Sequence, residues 1–413
     1  MKTTLPFLAA LVLLMAPARA AITVPGANNT DGELVVTANT VIDLSQAVDA
    51  AWDSDNTANA GKGVYDKSKW AVVFKYSRVT VNAGATVTFK NHPSRAPVVW
   101  LVDGDVLIAG VVSLNGQNSV PAPGHAEPGP GGFRGGRGYY SGGVGSGAGF
   151  GVGGGPLGNN GPSGSYGTLA QSTYRDPVYG NPSLVPLIGG SGGAGHHDAH
   201  PAGGGAGGGA ILIAAAGEIS VSGRLDANGG NYSSPAGGGS GGGIRLVCDR
   251  LAGSGNIRAL GGSGNNGSGG LGRIRIERVS VSGSPVVTPD PSLVPLTSGA
   301  QALLWPPDDG PAVRILTVGG APVSDDPRAS FGVLGPDVAL PQTDSVQVVI
   351  ETVNVEAASQ VQVRLTPGGQ TERQVVNATL DPAFVPVGGI LRWLANVPVR
   401  VGYSAMQVKV VRP

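Results

Sequence analysis

Val98 to Gln117, VVWLVDGDVLIAGVVSLNGQ, and Ile211 to Gly230, ILIAAAGEISVSGRLDANGG, align without gaps at an offset of 113 residues. Glycines coincide at Gly104/Gly217, Gly110/Gly223 and Gly116/Gly229. Apolar residues coincide at Val106/Ile219, Ile108/Val221 and Val112/Leu225, and Asn115 falls against Asn228. Further copies follow: Ile244 to Gly262 holds IRLV and then GNIRALGG, and Arg273 to Gly283 holds RIRIERVSVSG. Each copy reads as strand, turn, strand, turn. Short apolar strands punctuated by glycine at a regular spacing suit a parallel β-solenoid, where each rung buries alternate side chains and stacks on the next. A β-sandwich gives the same alternation, but its strands do not meet equivalent neighbours, so self-similarity favours the solenoid.

Composition agrees with an all-β chain. Of 413 residues, 71 are glycine and 32 proline, while 41% are hydrophobic and 13% charged. That apolar content is too high for a charge-rich disordered polymer, and the glycines keep no every-third-residue rule that would make collagen. The sparse charge also excludes a charge-laced coiled coil.

The first twenty residues read as a secretory signal: Lys2, an apolar stretch from Leu5 to Met15, and Ala18-Arg19-Ala20 as a small-x-small cleavage site. The expectation is a protein that begins at Ala21 and is secreted or held at the cell surface, with the periplasm also open. Without Lys2 and Arg19, 25 basic residues face 27 acidic ones, so bulk charge does not draw the chain to nucleic acid. No later stretch is long and apolar enough to span a bilayer. Cys248 is the single cysteine, so no internal disulfide forms, and its apolar neighbours from Ile244 onward mark it as a buried side chain rather than a nucleophile.

The expected organisation is a signal over 1–20, a glycine-rich solenoid over 21–285, a proline-bearing linker over 286–307 and a small immunoglobulin-like β-sandwich over 308–413. Strand-like stretches from Gly32 to Gln117 precede the second copy. Between the first and second copies lies an insertion, 121–210, in which 32 of 90 residues are glycine. Two readings of it stay open: a flexible low-complexity loop, or backbone segments packed closely through main-chain hydrogen bonds and pinned by Tyr179, Leu184, Val185, Leu187 and Ile188.

The signal-like start, the APVVWLVDGDVLIAGVVSLNGQ block, PLIGGSGG, GGGAGGGAILIAAAGEISVSGRLDANGG and the GGGSGGGIRL run together resemble a group of uncharacterised glycine-rich exported proteins of environmental bacteria. The resemblance covers Gly32 to Gly283; it implies a solenoid-like body and no particular activity. At the level of rung periodicity the chain is also similar to the pectin-lyase-like β-helix superfamily.

Carbohydrate chemistry on such a body requires converging carboxylates. Asp103, Asp105 and Asp226 are the weak catalytic candidates, but they sit at turns, where aspartate caps the backbone without any metal, and Asp103 and Asp226 are matched by Ala216 and Ser113 in the other copy. Gly272-Arg273-Ile274-Arg275 carries arginines that alternation turns to solvent. No cofactor is the leading expectation, with calcium the alternative. His196, His197 and His200, with Asp198 among them, are the metal candidates, in sequence too glycine-rich for a helix. Tyr139, Tyr140 and Tyr166, beside Phe133 and Phe150, are candidates for stacking on sugar rings or for anchoring the insertion. The leading expectation is a structural or adhesion-type protein that meets polysaccharide or cell-surface components without catalysis. The alternative is a carbohydrate-active β-helix protein, a polysaccharide lyase or a carbohydrate-binding module.

Overall fold

A computed structural model describes residues 22–121, 124–138, 147–156, 161–173, 175, 177–196, 202–232, 235–307, 309–323, 337–341, 344–367, 374–401 and 404–413. Its regular structure is β apart from two single 3-10 turns, Leu44–Gln46 and Thr57–Asn59. Before the first copy come β1 (Gly32–Val36), β2 (Thr40–Asp43), β3 (Val48–Asp49), β4 (Val64–Asp66), β5 (Ala71–Val81) and β6 (Thr86–Lys90). The copies contribute β7 (Val98–Val102), β8 (Val106–Ile108) and β9 (Val111–Ser113), then β10 (Ala210–Val221) with β11 (Arg224–Asp226), and β12 (Gly243–Gly253) with β13 (Asn256–Arg258). After them come β14 (Arg273–Gly283), β15 (Val286–Thr288) and β16 (Ser292–Pro295).

One sheet has the order β16-β14-β12-β10-β7-β5-β4-β3, with β1 and β8 also joined to it; a second has the order β15-β13-β11-β9-β6-β2. The second sheet is parallel throughout, and the first is parallel except where β4 meets β5. Equivalent positions of the copies pair directly: Val98 with Ile211, Ile211 with Ile244, and Ile244 with Ile274. Val106 pairs with Ile219, and Val112 with Leu225, as the sequence alignment sets them.

Alternation then sorts the side chains. Phe74, Tyr76, Trp100, Ile213, Leu246 and Ile276 of the first sheet share a core with Val87, Val112, Leu225 and Ile257 of the second. The opposite face of the first sheet, including Val73, Leu101, Leu212 and Val247, is covered by Phe133, Tyr166, Tyr179, Leu184, Leu187 and Ile188 of the insertion. Burial on both faces accounts for the unbroken apolar run of β7.

The described part of the insertion is a packed layer rather than a solvated loop. Residues 187–196, 202–210 and 236–248 are buried without interruption. Their backbone donors follow a period of three. Along 203–210, Gly203, Ala206 and Gly209 donate to Val120, Gln117 and Leu114; Gly204, Gly207 and Ala210 donate to Gly136, Phe133 and Pro130; Gly205 and Gly208 donate to Gly237 and Ser240. A chain with three residues per turn points successive N–H groups in three directions, as polyproline II geometry does, so each segment bonds to several neighbours at once. Such neighbours leave no room for a Cβ: one added at Gly207, Gly239 or Gly242 lies less than 3.0 Å from the carbonyl oxygen of Gly190, Ala206 or Gly209. None of these three glycines has a positive φ, so close approach, not backbone conformation, demands them.

Residues 286–307, expected as a linker, carry β15 and β16, the outermost strands of their sheets. Pro285, Pro289 and Pro291 flank these strands and Pro295 ends one, positions where a missing donor costs little. Downstream, Ala302 and Leu304 are buried against the covered face of the first sheet. Thr23 donates to Ala300 and accepts from Ala302, tying the start of the described chain to this stretch. Arg245 donates to the Leu303 and Leu304 carbonyls and pairs with Glu277 at 2.8 Å.

Past it lie β17 (Ala312–Val318), β18 (Ala321–Pro322), β19 (Ser345–Val353), β20 (Gln360–Pro367), β21 (Gln374–Asn377), β22 (Thr379–Leu380), β23 (Ile390–Pro398) and β24 (Ser404–Val411). They form two antiparallel sheets, β18-β17-β19-β23-β22 and β21-β20-β24. Val348, Ile350, Trp393 and Val397 of one meet Val361, Val363 and Leu365 of the other, and Trp393 Nε1 donates to Thr352 Oγ1 at 2.9 Å.

Gly207→Ala separates steric from conformational cost. Its methyl meets backbone, so unfolding free energy should fall by about 3 kcal/mol or folding should fail. Gly84→Ala, at φ +84 in open space, should lose about 1 kcal/mol. Chemical denaturation of both variants reads the difference; equal losses would contradict the close-packing account.

Candidate functional site

Two of the three candidate acids, Asp105 and Asp226, spend oxygens on neighbouring copies. Asp105 Oδ1 accepts from the Glu218 backbone at 2.8 Å, and the Glu218 side chain in turn pairs with Arg250 at 2.5 Å. Asp103 is exposed and accepts from Asn29 Nδ2 at 3.0 Å. Asp226 is buried and held by Arg258 through two bonds of 2.8 Å, with Arg224 3.6 Å away. That pairing pushes the Arg258 guanidinium above its ordinary range. Asp103 and Asp105 lie in the turn before β8 of the first sheet, whereas Asp226 ends β11 in the second. Asp226 therefore lies on a different sheet from Asp103 and Asp105, which share one turn.

A shallow depression of about 220 Å³ lies on the outer side of β5, β8 and β10, bordered by Arg78, Asp105, Leu107 and Glu218. Among the described residues no three His, Cys, Asp or Glu side chains gather to hold a metal ion. Cys248 is buried, and desolvation pushes its thiol up to about 12, which withholds the nucleophilic thiolate.

The aromatic candidates divide. Tyr139 and Tyr140 lie outside the described residues. Tyr166 is fully buried, donates from its hydroxyl to the Ile188 carbonyl at 2.8 Å and packs on Tyr179 with ring centroids 4.7 Å apart. It anchors the insertion and offers no face to a sugar. Phe133 is buried in the same layer, and Phe150 packs against it. Arg273, expected to face solvent, lies 5.6 Å from the Tyr166 ring centroid and donates to the Tyr179 carbonyl. Arg275 bonds to Glu277 at 2.7 Å. Both arginines are half-buried, because the outer face of the first sheet is partly covered here and Arg273 reaches the layer that holds Tyr166 and Tyr179.

Of the histidines, His196 is buried and its backbone donates to Ala202, while His197, Asp198 and His200 lie outside the described residues. His125 Nδ1 bonds to the Gly135 carbonyl at 2.8 Å, and its ring packs edge-on to Phe150. Burial, aided by Arg134 and Arg137, lowers the pKa of His125 despite the Gly135 bond.

Hydrogen-bond direction also fixes where the ends of the described glycine segments lie. The segment 189–196 runs antiparallel to 202–209, Gly190 donating to Gly208, Gly193 to Gly205 and His196 to Ala202. Since residue 209 leads into β10, His196 and Ala202 lie at the end remote from that sheet. Gly147 donates to Arg137 and accepts from Gly195, Gly237 donates to Ala194, and Ser119 donates to Asn231. The segment ends joined by 139–146, 197–201 and 233–234 therefore lie together at that far end.

Two asparagine columns run beside these segments, Asn115 and Asn228 near the sheet end, where Leu114 accepts from Gly209, and Asn118 and Asn231 three residues further out, past Gln117, which accepts from Ala206. Asn115 Oδ1 accepts from the Asn228 backbone at 2.7 Å, and Asn228 Oδ1 from Leu260 at 2.8 Å. Asn118 Oδ1 accepts from Asn231 at 2.9 Å, and Asn231 Oδ1 from Ser263 at 2.9 Å. The sequence alignment marks Asn115 and Asn228; Asn118 and Asn231 share the same 113-residue offset one step beyond its last aligned position and pass unnoticed there.

Comparison with family models, curated proteins and solved structures finds no match for this chain.

His125 provides a pH signature. Its pKa is depressed in the folded state, so its neutral ring contributes stability above the unfolded value of about 6.5, and this is lost as pH falls through the folded value. Melting temperature should drop between pH 7.5 and 5, and His125→Gln should flatten part of that slope; an unchanged slope would remove His125 as a cause.

Proposed function

We propose that this chain is a secreted or cell-surface structural or adhesion-type protein that works without catalysis. Residues 21–285 act as a glycine-rich β-solenoid carrying the insertion 121–210, whose described segments pack as one stiff body, and 308–413 act as an immunoglobulin-like β-sandwich that serves as a spacer or docking module. The partners are polysaccharide or other cell-surface components, met at the far end of the glycine segments.

The supporting observation is the three-residue period of the glycine hydrogen bonds. It packs the described part of the insertion into one body and gathers the ends of its described segments on one side, which suits presentation of a surface. The engaged states of Asp105 and Asp226 support the same reading, because a general acid or base needs a proton-exchanging oxygen free to face substrate. A carbohydrate-active β-helix enzyme would require carboxylates that converge in a groove.

Pectins, alginates and glycosaminoglycans, each with and without calcium, supply the test. No new chain ends should accumulate over background. Sustained cleavage that disappears in Asp103→Asn, Asp105→Asn or Asp226→Asn, with the variant still folded, would overturn the non-catalytic reading.

A further inference from the structure

We infer that Asn115, Asn118, Asn228 and Asn231 form a donor grid that binds an uncharged, hydroxyl-rich polysaccharide; the inference rests on the proposed recognition of polysaccharide by this chain. In each residue Oδ1 is consumed by a backbone N–H of the next copy. That bond fixes the amide plane and leaves Nδ2 as the outward group. Asn115, Asn118 and Asn231 are exposed and Asn228 is half-buried, and none of the four Nδ2 groups has a protein acceptor among the described residues.

Spacing makes these four groups a lattice. Adjacent parallel segments lie about 4.8 Å apart, and three residues of extended polyproline-like chain advance about 9 Å. The array thus presents two donors on each of two neighbouring copies, held by backbone bonds and not by mobile side-chain packing. Such preorganisation lowers the ordering cost of binding.

The chemistry selects the occupant. The grid has four neutral amides and no ammonium or guanidinium, so nothing in it favours a polyanion. It has no large aliphatic anchor of the kind that dominates protein interfaces. A neutral glycan supplies repeated hydroxyl acceptors along an extended chain, and the half-buried Tyr232 follows Asn231 directly at the edge of the array.

Asn118→Asp and Asn231→Asp, made singly in the full chain, give a sharp test. Aspartate keeps the oxygen that accepts the next copy's N–H while deleting the Nδ2 donor, so folding should survive. Affinity electrophoresis would use gels containing dextran, mannan or laminarin, with chondroitin sulfate as the polyanion comparison. Wild-type protein should be retarded by at least one neutral glycan, and each variant should bind it about fivefold more weakly with an unchanged melting temperature. Absence of retardation by every neutral glycan, retardation by chondroitin sulfate alone, or full retention of binding in both folded variants would overturn the grid. Retardation accompanied by glycan cleavage would support the grid and overturn the non-catalytic reading, so the two failures are distinguishable.

Discussion

A missing Cβ governs this structure. Where Gly207 passes the Gly190 carbonyl and Gly242 passes the Gly209 carbonyl, the backbones are too close for any side chain. The same closeness lets main-chain donors reach acceptors on several neighbouring segments. In place of apolar side chains, the layer is stabilised by satisfied peptide groups in a region from which water is excluded. Glycine loses more conformational freedom on folding than any other residue, so the arrangement holds only if nearly every donor finds its acceptor. Serines fill gaps: Ser240 Oγ accepts from Ser191 N at 2.8 Å, and Ser163 Oγ accepts from Gly238 N at 3.0 Å.

The layer cannot stand without the sheets it covers. Tyr166, Tyr179, Leu184 and Ile188 bury their side chains against Leu212 and Val247, so aromatic and aliphatic anchors tie a side-chain-poor body to a side-chain-rich one. On the other face of the first sheet the aligned residues of successive copies stack in register. Polar side chains reinforce that register from outside: Asp226 with Arg258, Glu218 with Arg250, and the asparagine columns all join one copy to the next. Asp105 and Asp226, which look catalytic by residue type, are thus spent on registration.

The parallel pairing was legible because Val106/Ile219 and Val112/Leu225 recur with their glycines, and a repeated pattern demands equivalent neighbours. The covered outer face of the first sheet was not. Alternation alone turns Arg273 and Arg275 to solvent, and it contains no information about a layer supplied by residues such as Tyr179, 94 positions before Arg273. Nor does proline count locate a boundary, since Pro285 to Pro295 sit at the ends of edge strands as comfortably as in a linker. The order of the glycine insertion was undecidable locally, because glycine is equally the residue of flexible chain and of closest backbone approach. The three-residue period becomes visible only when partners distant in sequence are brought together.

Amide hydrogen exchange followed by mass spectrometry addresses the central claim directly, because it reads whether the glycine donors are bonded in solution. Peptides covering 189–196 and 202–209 should exchange as slowly as those covering 244–248 in β12. Exchange of the glycine peptides at the rate of an unstructured chain, while 244–248 stays protected, would contradict the account.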